Sequence, residues 1–144
     1  AAPDLGVFPT GLPIVPLQGQ IEMEIAQLSD EEAAEFLNEY GIEEPSLRRM
    51  IRESYDLLGL QSFFTVGEDE VRAWTVRQGV TAPVAAGVIH SDLHKGFIRA
   101  EVVPHTDLLE LGSMAKAREA GKLRMEGKDY IVQDGDIMHV RFNV

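Results

Sequence analysis

Cysteine is absent from these 144 residues, so there is no disulfide framework, no thiolate nucleophile and no cysteine metal site. Nor is any apolar stretch close to the roughly 18 to 20 residues that cross a bilayer. The opening Ala1-Ala2-Pro3-Asp4 carries neither a basic n-region nor an apolar h-region, and the cytoplasm is the expected compartment. Basic charge is scarce: 13 Lys and Arg stand against 24 Asp and Glu, a formal charge of -11. A protein that neutralises many phosphates over its whole surface is usually net basic, so the charge argues against a general polyanion binder. The acid is uneven, however. Residues 1 to 60 hold 3 basic and 12 acidic side chains, and residues 61 to 144 hold 10 and 12. Within the second half Lys116, Arg118, Lys122, Arg124 and Lys128 form a locally basic stretch, a candidate RNA or ribosome contact or simply a solvated face.

Catalytic signatures are missing too. A phosphate-binding loop needs Gly-x-x-x-x-Gly-Lys-Ser/Thr, because backbone amides must wrap the phosphates while the lysine reaches the terminal ones, and no such string occurs. There is no Gly-x-Ser-x-Gly elbow. His90 and His94 have the spacing of one helical face and Asp92 lies between them, which is the minimum for a metal or acid-base pair. Zinc would need further ligands and ordered outer partners, so polar loop histidines are the reading adopted. Trp74, Phe63, Phe64 and Phe97 could stack on RNA bases, but on strands of a small domain they are expected to form its core.

What is present is punctuated periodicity. The run Ile14-Val15-Pro16-Leu17 reads as a strand, and Gln18-Gly19-Gln20 as a turn. Ile21, Ile25 and Leu28 then mark a helix. Ser29 and Glu32 form a capping box that opens a helix reaching about Tyr40, ended by Gly41. Pro45-Ser46 starts another, with Leu47, Met50, Ile51, Ser54, Leu57 and Leu58 as its apolar stripe and Gly59 as its stop. The period then changes. Ser62–Val66 and Val71–Val76 predict a hairpin, Pro83–Ala86 a short helix, Phe97–Val103 a third strand and Ser113–Ala120 a weak helix. Asp129–Val132 and Ile137–Phe142 predict two closing strands around an Asp134-Gly135 turn. A hairpin, a helix crossing one face and strands that return to the sheet make an α+β, β-grasp (ubiquitin-like) fold.

Five ordered blocks, Leu60–Gly67, Glu70–Thr75, Ala82–Asp92, Lys95–Val102 and Glu126–Asp136, resemble the C-terminal region of the YchF or Obg-like ATPases. The resemblance implies a TGS β-grasp domain at 60–144. Residues 1–59 are then a strand and helices from the end of a P-loop α/β nucleotide domain. It implies an intact protein that binds ribosomes and slowly hydrolyses ATP in preference to GTP, with magnesium and ATP held upstream and no cofactor in these residues. Gln18 and Gly19 fall where relatives turn near the base, although Gln18 stands in place of the usual small residue. The partners implied are the ribosome and the upstream nucleotide domain, with no membrane. A free-standing ubiquitin-like TGS regulatory module is the alternative, and it leaves Ile14–Gly59 without a role.

Overall fold

The computed structural model describes residues 14, 16–42, 44–67 and 69–143. The chain divides between Leu57 and Leu58 into two compact units.

The first unit is helical: α1 (Gly19–Ile25), α2 (Asp30–Glu39) and most of α3 (Ser46–Leu58). The capping box at α2 forms as the residue pair dictates, with the Ser29 hydroxyl accepting from the Glu32 N–H and the Glu32 carboxylate accepting from the Ser29 N–H at 3.0 Å. Gly41 and Gly59 take φ of +64° and +62°, the left-handed region in which a Cβ is penalised. A carboxylate from α1 caps α3: Glu22 accepts from the Ser46 N–H at 3.0 Å and from its hydroxyl. That places negative charge at the positive end of a 13-residue helix. Arg49 donates to the Pro16 carbonyl at 2.8 Å, which ties α3 to the segment before α1.

Two sequence expectations change in this unit. Ile14, Pro16 and Leu17 are not in a strand, and Ile14 and Leu17 are about half exposed; Val15 lies outside the described residues. A strand exists through pairing, and this segment pairs with no strand among the described residues, while Pro16 has no N–H to give. The α3 stripe forms at helical spacing but faces outward: Leu47, Ile51, Leu57 and Leu58 are each more than half exposed.

The second unit is built on a five-stranded mixed sheet in the order β2-β1-β5-β3-β4, with β1 (Leu60–Val66), β2 (Val71–Arg77), β3 (Phe97–Pro104), β4 (Arg124–Glu126) and β5 (Asp136–Phe142). β1 and β2 form the hairpin, in register from Leu60↔Arg77 to Val66↔Val71. β5 lies between β1, which it meets in parallel, and β3, which it meets antiparallel. Helices α4 (Ala82–Ile89) and α5 (Ser91–Lys95) cover one face and α6 (His105–Leu111) and α7 (Met114–Glu119) part of the other. Ala82, Ala85 and Ala86 are fully buried, so α4 approaches the sheet closely over Phe63, Val102 and Met138. Phe64, Val103 and Ile137 meet Leu108, Leu111 and Met114 on the opposite side. The fold is the expected α+β, β-grasp arrangement.

Here too the elements differ in part. The fourth strand is Arg124–Glu126, and the strand expected over Asp129–Val132 is reduced to an isolated bridge between Thr81 and Ile131. That apolar run packs against the entry to α4: the Tyr130 carbonyl accepts from Ala82 and the Val132 N–H donates to Val80. Val132 is buried and Tyr130 half-buried without a place in the ladder, while Asp129 and Ile131 stay exposed. α6 was not anticipated, because Pro104 reads as a strand stop when it also serves as the N-cap of a helix.

Candidate functional site

His90 and His94 do not share a helix. α4 ends at Ile89, His90 is the N-cap of α5 with its Nδ1 accepting from the Asp92 N–H at 3.2 Å, and the His94 ring packs 3.0 to 3.3 Å from where a Cβ on Gly87 would lie. Asp92 lies 3.5 Å from His90 at the surface. No group of three His, Asp or Glu among the described residues could hold a metal ion. Phe63 and Phe97 are buried, and Trp74 and Phe64 pack against the two cores, so the aromatics are structural. The Trp74 indole donates to Thr65 at 3.0 Å and carries the Arg72 guanidinium 4.4 Å over its ring.

Gln18 caps α1 and Gly19 begins it, both exposed. The sequence has no phosphate loop, and a place for Gln18 and Gly19 near a nucleotide base rests on the family resemblance alone. No step of hydrolysis is assigned to them.

The five basic residues of the 116–128 stretch are placed on α7, the following loop, β4 and the turn after it, and three are engaged with acids. Arg118 bridges to Glu101 at 3.0 Å and Lys122 to Asp107 at 3.5 Å. Arg124 lies 3.4 Å from Glu126 and 3.9 Å from Asp136, and donates to the Tyr130 hydroxyl at 3.0 Å. Lys116 and Lys128 are exposed. Tyr130 in turn donates to the buried Asp136 at 2.7 Å. Burial, then the hydrogen bond and charge of Asp136, push its phenol up to about 12.

A second basic cluster was invisible in the sequence because Arg99 and Arg141 are 42 positions apart. Register places Arg99 opposite Arg141 and Glu101 opposite His139 on neighbouring strands β3 and β5. Glu101 is only 7% exposed and accepts from Arg118 at 3.0 Å and Arg141 at 3.1 Å. Burial opposes its ionisation, yet the Arg141 hydrogen bond and the charges of Arg141, Arg118 and His139 outweigh it, and its pKa lies below the ordinary value. One carboxylate thus serves two guanidiniums. Beside it, a shallow depression of about 330 Å³ is lined by Ile98, Arg99, His139, Val140, Arg141 and Phe142.

The mixed sheet with β5 between β1 and β3 defines a TGS-like β-grasp domain. Residues 60–143 match the family model YchF-GTPase_C, described as "Protein of unknown function (DUF933)", and the chain belongs to that family as part of its C-terminal region. It is 60% identical over 134 residues to "Ribosome-binding ATPase YchF" of Haemophilus influenzae, covering 93% of this chain and 37% of that protein. With the Bacillus subtilis protein of the same name it shares 56% over 131 residues, 91% of this chain and 36% of that one. The Schizosaccharomyces pombe YchF GTPase structure superposes with a TM-score of 0.70 at 39% identity, over 82% of this chain and 31% of that one. The chain therefore spans only about a third of the length of these relatives.

Proposed function

We propose that this chain is the interaction-bearing C-terminal part of a ribosome-associated P-loop ATPase, active on ATP in preference to GTP when intact and acting in the cytoplasm during translation. The observation that carries the reading is the continuous similarity, across both units, to proteins named as ribosome-binding ATPases. A free-standing β-grasp module would leave the similarity outside residues 60–143 without an explanation. The outward apolar stripe of α3 supports the same reading, because Leu47, Ile51 and Leu58 form the kind of helix face that a larger α/β domain covers. On this reading magnesium and ATP belong to residues outside this chain, and the 144 residues by themselves hydrolyse neither ATP nor GTP.

The test pairs two preparations. The intact protein should co-sediment with ribosomes and release phosphate from ATP faster than from GTP. The 144-residue chain should show no turnover and no magnesium-dependent ATP binding below the millimolar range in a calorimeter. Micromolar ATP binding by the chain, or an intact protein that stays in the supernatant, refutes the proposal.

A further inference from the structure

We propose that the outer edge of β2 is a docking strand for an extended peptide of a partner protein, one that places carboxylates opposite Arg72 and Arg77 and adds to the sheet as a sixth strand. Such a contact is independent of the ribosome-associated reading. β2 ends the strand order, and its seven residues run in unbroken register with β1. Just beyond the two ends of that register the Gln78 N–H donates to the Gly59 carbonyl and the Gly67 N–H to the Glu70 carbonyl, each at 2.8 Å. Hydrogen-bonded pairs alternate along an antiparallel ladder, so Arg72, Trp74 and Val76 turn their backbone groups to β1. Val71, Ala73 and Arg77 turn theirs outward, and nothing among the described residues bonds to them.

Proteins blunt exposed edges with short strands, bulges, prolines, charges or a covering element. The opposite edge is blunted in this way, since β4 has three residues. β2 has no proline and no bulge in its register, and Val71 is 69% exposed. Arginine is the one deterrent it carries, but the Arg72 guanidinium is folded 4.4 Å over the Trp74 ring and so lies along a face of the sheet. Residues 71 to 77 hold two arginines and no acid, and no carboxylate among the described residues bridges to either. Asp69 and Glu70 stand just before Val71. The edge therefore runs from negative to positive, and an antiparallel strand complements it with a base opposite Glu70 and acids opposite Arg72 and Arg77. Between those charges β-branched residues would continue the row from Val66 through Val71 on one face and meet Trp74 on the other. A second copy of the chain fits less well. It brings a further formal charge of -11, and two seven-residue strands meeting edge to edge bury less than the roughly 1,200 Å² of a stable interface.

The experiment titrates the whole 144-residue chain into a fluorescein-linked peptide, Glu-Val-Thr-Val-Thr-Glu-Val-Lys-amide, and reads anisotropy. Paired antiparallel, its first residue lies opposite Arg77, its sixth opposite Arg72 and its eighth opposite Glu70. Methylating the fifth and seventh peptide amides, which face Ala73 and Val71, should weaken binding about tenfold or more, while methylating the fourth and sixth, which face away, should leave it within twofold. Arg77→Glu should weaken binding about tenfold, and changing the first glutamate of the peptide to lysine should restore it. Ala73→Pro removes an outward N–H and keeps the ladder to β1, so it should abolish binding with the circular dichroism spectrum unchanged. Bound peptide should also slow hydrogen exchange at the Val71, Ala73 and Arg77 amides and leave Arg72, Trp74 and Val76 as they were. No binding below the millimolar range, equal losses from the two pairs of methylations, or no rescue of Arg77→Glu by the charge-swapped peptide overturns the proposal. Should Ala73→Pro fail to fold, the methylated peptides and the charge swap decide. A chain that dimerises in sedimentation equilibrium, and ceases to as Ala73→Pro, assigns the edge to a second copy and overturns the proposal as well.

Discussion

Glu101 offers a sharp test of the second unit's electrostatics, because one nearly buried carboxylate is held by two half-exposed guanidiniums. The side chains of Arg118 and Arg141 are 63% and 51% exposed, so each hydrates readily when released, while Glu101 at 10% does not. Replacing either arginine by alanine leaves the carboxylate with one charged donor. Surface-type pairs contribute about 0 to 1 kcal/mol, so Arg118→Ala and Arg141→Ala should each cost no more than roughly 1 kcal/mol. Replacing both strands the carboxylate, and an unpaired buried charge costs about 3 kcal/mol or more. The double variant should therefore exceed the sum of the singles by roughly 1 kcal/mol or more, read as a coupling energy from urea unfolding. The pH dependence follows the same cause. The native pKa of Glu101 is depressed, so its contribution is fully present above the ordinary carboxylate value and is lost as pH falls through the lower native value. In the double variant only the charge of His139 is left to oppose burial, and the pKa should rise. Its deficit should then shrink on acidification through the ordinary carboxylate range, as protonation removes the stranded charge. Strict additivity of the two arginine variants, or a deficit that does not change with pH, would refute the reasoning.

Three further outcomes follow from single sites. Gly135 has φ of +80° and a Cβ there would run into the His105 ring, so Gly135→Ala should cost more than about 1 kcal/mol, and His105→Ala in the same chain should recover part of it by denaturant unfolding. Tyr130 should ionise near 12 in an ultraviolet titration; with a raised native pKa its stabilising contribution is complete below the ordinary tyrosine value and disappears as pH rises through about 12. Tyr130→Phe should then cost about 1 to 2 kcal/mol near neutral pH, because the buried Asp136 loses a 2.7 Å donor.

Local chemistry made the hairpin, the capping box and the glycine stops readable, since each is decided within a few residues: Ser29 needs only Glu32, and Gly121, at φ +69°, needs only the turn it closes. What local pattern could not decide was competition for partners. Asp129–Val132 has strand composition, yet Tyr130 and Val132 hydrogen-bond to residues 80–82, and the ladder position goes to Arg124–Glu126, three residues too short to show periodicity. The basic stretch at 116–128 was visible because its charges lie close together in the chain. Their neutralisation by Glu101, Asp107 and Asp136 was not, since those acids arrive through tertiary packing. Arg99 and Arg141 failed to register for the same reason: only the β3–β5 register, with its irregularity between Phe97 and Arg99, makes them neighbours. The resemblance to a family supplied the fold at once, but it assigned no residue to this surface.

The central place of β5 sets the order in which the sheet can be assembled during synthesis. The β1–β2 hairpin and the elements of the β3–β4 pair both leave the ribosome before Asp136–Phe142 does, yet neither pair touches the other in the strand order. They are two half-sheets waiting for a keystone. Closing the loop from β1 to its parallel neighbour β5 spans about seventy residues, so the decisive contact is late and of long range. A nascent chain stalled before Asp136 would expose two apolar strand edges at once, on β1 and on β3, and would have to be shielded until the last strand entered between them.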